Sequence, residues 1–157
     1  MTFTLTSTGF SDGGVLPDAQ VYAKGNRSPQ LAWSGAPAGT KSFAVTCYDP
    51  DAPTGSGFWH WTLANLPADV TELAEGASPA GLPAAAVEGR TDFGPPGFGG
   101  AAPPQGHGPH RYIFTVFAVD TERLDVTPDN SGAVFGFNLH FHTLDKASIT
   151  GVYENRG

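Results

Sequence analysis

Cysteine is almost absent: Cys47 is the only one. No intrachain disulfide can form, which fits a reducing compartment. Basic residues are also scarce, 8 Lys and Arg against 15 Asp and Glu, for a net charge of −7. A phosphate backbone needs a basic face, so nucleic acid is excluded as a partner. An anionic membrane surface is disfavoured on the same ground. Any anion bound here must be gripped locally, by a few groups in a pocket. No apolar run is long enough to span a bilayer, and the start, Met1 to Leu5, lacks the basic-then-apolar pattern of a signal peptide. A cytoplasmic protein without integral membrane association is expected.

Glycine and proline, in contrast, are abundant, at 21 and 14 residues. That composition speaks for many loops and turns and against a helical bundle. Eleven Phe, 3 Trp and 4 Tyr suit the faces of sheets. At 157 residues the chain fits one domain, 1–157, able to bury about 70% of its unfolded surface.

Strands are predicted at 3–8, 31–33, 43–49, 59–66, 112–120 and 148–153, from alternation or short apolar runs bounded by turn residues. A short strand is expected near Val21 and Tyr22, and a helical turn over 69–73. Ala133 to Leu144 carries Val134, Phe137, Phe141 and Leu144 at helical spacing, which predicts one C-terminal helix with those four residues facing inward. Cys47, inside an apolar run, reads as a small core residue.

The chain is organised around Asp49-Pro50-Asp51-Ala52-Pro53 and the Phe58-Trp59-His60-Trp61 that follows. Pro50 and Pro53 restrict their own φ and push the residues before them toward extended geometry. A loop that stiff, between two strands and carrying titratable groups, is suited to presenting chemistry. Its ordinary reading is structural, since Asp-Pro pairs are common turn formers.

A second segment, Pro103 to Tyr112, changes the balance. His110 sits where a glycine- and proline-rich loop becomes a strand, as His60 does. Two such junctions meeting at one end of a sheet would gather Asp49, Asp51, His60, His110 and Tyr112. The backbone at Gly99 and Gly100 would approach a ligand closely. Imidazoles and a phenol can donate to an oxyanion such as a phosphate monoester. The carboxylates fit if one of them hydrogen-bonds a histidine and sets its tautomer.

Other motifs are weaker. On a helix, His140 and His142 point about 200° apart and cannot share a metal ion. Gly94 to Gly100 lacks the lysine and the strand-loop-helix context of a nucleotide loop. His107, among glycines, is expected to be exposed. Arg111 should point opposite to His110 and Tyr112 once the strand has begun.

Ser28-Pro29-Gln30-Leu31-Ala32-Trp33, Asp49 to Pro53, Phe58 to Trp61, Pro103-Pro104 through His110-Arg111-Tyr112, and Gly136 to Leu144 together closely resemble the phosphatidylethanolamine-binding protein family. That family includes the Raf kinase inhibitor protein, and the likeness is to its bacterial YbhB/YbcL-type branch. The resemblance implies a mainly β fold of two antiparallel sheets with short peripheral helices. It implies a ligand pocket of Asp49, Asp51, His60, His110 and Tyr112, walled by Pro50, Pro104 and the Gly99-Gly100 backbone. It further implies a homodimer; a small phosphorylated or anionic ligand is expected, with modulation of a protein partner as a further reading, and no cofactor or metal is expected. The alternative function is an enzyme using the same imidazoles and carboxylates as general acid and base; no catalytic residue is assigned.

Overall fold

The structure, a computed structural model, describes residues 2–157. Eight strands form two sheets, all pairings between them antiparallel. The smaller sheet has the order β1-β2-β5, from Thr4–Thr6, Leu31–Ser34 and Glu72–Leu73. The larger has the order β6-β4-β3-β7-β8, from Val87–Glu88, Phe58–Pro67, Ser42–Asp49, His110–Val119 and Thr143–Tyr153.

Period-2 alternation decides which side chains meet. Phe43, Val45 and Cys47 on β3, and Phe114, Val116 and Ala118 on β7, point into one core with Leu5, Leu31 and Trp33 of the smaller sheet. The other face of the large sheet is covered too. Ala44, Ala64 and Val119 pack there against Phe135 and Leu139 of the helix α1, Gly132–His142. Burial on both faces explains why β3 reads as a continuous apolar run.

The helix lies where expected, but its inward face is a different one. Val134, Phe137, Phe141 and Leu144 are exposed, and Phe137 is 68% accessible. Phe135 and Leu139, at i and i+4, are the buried pair, with Gly132 against the Trp59 ring. Both stripes satisfy helical spacing; only the location of the sheet selects between them. The helix also ends sooner: β8 begins at Thr143, whose hydroxyl donates to the Leu139 carbonyl at 2.6 Å. His142 Nδ1 lies 2.8 Å from Asp120 Oδ1, a structural tie.

Residues 69–73 are not a helical turn. A turn at 68–69 leads into β5, where Leu73 is buried opposite Leu31. Pairing with an open strand edge overrode a weak local preference. The strand near Val21 is a single bridge to Ala101. Besides α1, helix among the described residues amounts to one 3-10 turn, Asp18–Gln20. None of these helices is long and apolar enough to cross a membrane.

Candidate functional site

Antiparallel pairing carries the two focal segments to one edge. β3 ends at Asp49; β4 begins opposite it at Phe58, and β7 begins beside it at His110. Asp49, His60 and His110 thereby line one small cavity of about 190 Å³, together with Pro104. Phe58, Phe93, Ala102 and residues 52–54 complete its wall.

The register of β4 contributes directly. Tyr48 pairs with Trp59 and Cys47 with Trp61, which leaves His60 as the extra residue of a β-bulge. Bulges re-aim side chains next to functional sites, and here one turns the imidazole toward Phe58, Phe93 and Tyr112. His60 Nδ1 donates to the Gly99 carbonyl at 2.8 Å, which leaves Nε2 as the nitrogen not engaged there. Burial pulls the pKa of His60 below its ordinary value of 6.5; the Gly99 carbonyl and Asp49 oppose the shift.

Asp49 is the carboxylate that sets a histidine tautomer. Its Oδ2 lies 2.7 Å from His110 Nδ1, and its Oδ1 accepts from the Asp51 amide at 2.7 Å. The imidazole is 1% exposed and the carboxyl 3%. Since the carboxylate only accepts, Nδ1 of His110 carries a proton. His110 Nε2 in turn lies 2.6 Å from His107 Nδ1. His107 is itself exposed, and nothing local in the sequence announces this contact.

Asp51 lies outside the cavity wall. Arg111 grips it through Nε and Nη2, both at 2.9 Å, and through its backbone amide. This grip holds the Asp51 carboxyl down at about 2, against an ordinary 3.8. The pair clamps the loop after β3 to the start of β7, and Arg111 points outward as the strand alternation requires.

Tyr112 is 1% exposed and packs edge-on against His60, with ring centroids 5.2 Å apart. Its hydroxyl has no hydrogen-bond partner, and Tyr112 stands behind His60 rather than in the cavity wall. Burial, reinforced by the negative charge of Asp49, pushes its pKa far up, so it keeps its proton. The Ala102 amide offsets part of that shift without reaching hydrogen-bonding geometry.

The two glycines act differently from the sequence expectation. The Gly99 amide donates to the His60 carbonyl and the Gly100 amide to Asn26 Oδ1. Neither N–H is left for a ligand. Glycine is required because a Cβ at Gly99 would strike the Phe93 ring, and one at Gly100 the Gln20 carbonyl. Gly99 therefore braces His60 from behind, and Gly100 ties the next residue to Asn26. Pro50 sits in the loop above without lining the cavity. That loop is held by Tyr48, whose hydroxyl donates to the Ser56 carbonyl at 2.7 Å. Gly57 there has φ +69, and a Cβ would strike the Tyr48 side chain.

Phe58 and Phe93 are wall residues that sequence reasoning did not assign. Phe58 belongs to the Phe58-to-Trp61 aromatic motif, whereas Phe93 carries no local signal. Among the described residues, no three His, Cys, Asp or Glu side chains group to hold a metal ion.

A family model described as "Phosphatidylethanolamine-binding protein" matches residues 6–154. The chain belongs to that family. It is 54% identical over 156 residues to the UPF0098 protein YbhB of Escherichia coli K12, covering 95% of this chain and 98% of the relative. It is 51% identical over 160 residues to YbcL of the same organism, covering 97% and 87%. The crystal structure of E. coli YbcL, described as a new member of the mammalian PEBP family, superposes with a TM-score of 0.95 over 98% of this chain and 99% of that one, at 50% identity. A phosphatidylethanolamine-binding protein from Plasmodium vivax, at 16% identity and TM-score 0.56 over 97% of this chain and 83% of that one, shares the fold alone. The mainly β architecture with two antiparallel sheets is thus the fold of this family.

Proposed function

We propose that this family member is a binding protein for a small oxyanion, a phosphate monoester or phosphorylated head group, held between His60 and His110. The observation that carries the reading is the convergence of two buried imidazoles on one small cavity. The unpartnered Tyr112 hydroxyl nearby supports it, as a donor with nothing of the protein to donate to. Size supports it too: about 190 Å³ is below the roughly 300–1,000 Å³ of sites for drug-sized ligands. The family description names phosphatidylethanolamine, whose head group carries a phosphodiester.

No Lys or Arg lines the cavity and Asp49 does, so an anion needs a protonated imidazole to offset the carboxylate. Binding then takes up a proton. Calorimetric titration of inorganic phosphate and a phosphomonoester, in buffers of different ionisation enthalpy, tests this. Saturable binding with proton uptake, lost in His60→Ala, supports the reading; no binding at millimolar ligand refutes it.

The enzyme alternative would rest on the same imidazoles and Asp49 as acid and base, not on a cysteine nucleophile. Cys47 is buried and its thiol is pushed well above its ordinary pKa by desolvation, which leaves little thiolate to act as a nucleophile.

A homodimer has a specific observation in its favour. The exposed stripe of α1 presents the Phe137–Phe141 pair, centroids 5.2 Å apart, on a helix with no Asp, Glu, Lys or Arg. An uncharged apolar patch can meet its own copy across a two-fold axis despite a net charge of −7 per chain. Sedimentation of Phe137→Glu tests this: a wild-type dimer turned monomeric supports it, and an unchanged mass refutes it.

A further inference from the structure

An imidazole has two nitrogens, and both of His110's are occupied. Nδ1 faces the Asp49 carboxylate at 2.7 Å and Nε2 faces His107 Nδ1 at 2.6 Å. An oxyanion will not approach the Asp49 side. It can hydrogen-bond His110 only through Nε2, and His107 is already there.

We propose that His107 is a latch on His110, which a ligand must displace before His110 can grip it. This rests on the oxyanion reading of the cavity. The surroundings suit a moving side chain. His107 lies between Gly106 at φ +75 and Gly108 at φ +89, each with open space where a Cβ would be. The backbone is tied separately, by the His107 amide to the Pro104 carbonyl and the Gly106 amide to the Asn155 carbonyl, both 3.1 Å. The exposed ring can therefore swing into solvent by side-chain rotation alone. It gives up one hydrogen bond and one edge-to-face contact, centroids 4.9 Å apart at 65°.

The latch also sets specificity. A charged acceptor makes a hydrogen bond roughly twice as strong as a neutral one. With Nδ1 protonated toward Asp49, a neutral His110 accepts the His107 Nδ1–H through Nε2; once the proton taken up on binding sits on Nε2, an oxyanion outcompetes the His107 ring for that N–H, whereas a neutral carbonyl or alcohol has little advantage over it. His107 thereby biases the site toward anions without touching the bound ligand.

The test is NMR titration of inorganic phosphate into full-length, histidine-labelled protein, wild type and His107→Ala. Removing a competitor worth one hydrogen bond raises the apparent affinity by about 3- to 10-fold. The wild-type His107 ring resonances should move to those of a free imidazole as phosphate saturates. Equal or weaker phosphate binding by His107→Ala, with wild type binding, overturns the latch and leaves the anion site standing. Absence of phosphate binding in both proteins overturns the site itself, and the latch with it.

Discussion

Tyr112→Phe separates stability from binding. The Tyr112 hydroxyl is buried beside Asp49 with no partner. Burying a hydroxyl in that state costs about 1–3 kcal/mol. Phenylalanine keeps the ring and its edge contact with His60 at 5.2 Å while removing the unpaired group. Part of the gain is lost to the small void left behind, so the variant should be more stable by about 1 kcal/mol. For a chain of this length that raises the Tm by about 2–4 °C. On the oxyanion reading the same change removes a donor to a charged ligand, worth about 1.5–3 kcal/mol, or about 10- to 150-fold in phosphate affinity. The pKa shift is upward, so the hydroxyl stays protonated and the loss holds across the neutral range. Urea denaturation and phosphate titration on the same preparation measure both effects. A variant destabilised by more than about 1 kcal/mol with unchanged phosphate affinity refutes the reasoning, because the hydroxyl would then be serving the fold.

Three further outcomes follow from the same geometry. Burial lowers the His60 pKa below 6.5, so the unfolded chain binds more protons there; urea melts across pH should show stability falling as pH drops below about 6.5, and His60→Gln should flatten that slope. The Asp51 carboxyl is held at about 2 by Arg111, so its contribution is complete above 3.8 and lost as pH falls through about 2; Asp51→Asn should remove that part of the acid limb while the cavity still binds phosphate. On α1, Phe135→Ala should cost about 3–5 kcal/mol and Phe137→Ala under about 0.5 kcal/mol in dilute monomer, as chemical denaturation would show, since only Phe135 is buried.

The strands were legible because alternation and turn residues are local signals. Ser42–Asp49 and His110–Val119 lie within two residues of their expected bounds. The meeting of His60 and His110 was legible as well, from two loop-to-strand junctions placed at one end of a sheet. What escaped was whatever depended on the far side of a contact. The helix carries two apolar stripes, and its sequence does not say which one meets the sheet. The bulge at His60 exists only in the register of β4 against β3. Gly99 and Gly100 looked like open backbone, but His60 and Asn26 claim their amides. Asp49 and Asp51, two residues apart and chemically alike, divide into one partner for buried His110 and one for exposed Arg111. The His107 contact depends on a loop path through Gly106 and Gly108 that residue spacing does not reveal.

The most direct test is a crystal soaked in a phosphomonoester at saturating concentration. The account predicts tetrahedral density in the cavity between His60 and His110, within hydrogen-bonding distance of an imidazole nitrogen and with the His107 ring swung away. Density confined to other grooves, such as the one lined by Lys24 and Arg156, with the cavity unchanged, would contradict it.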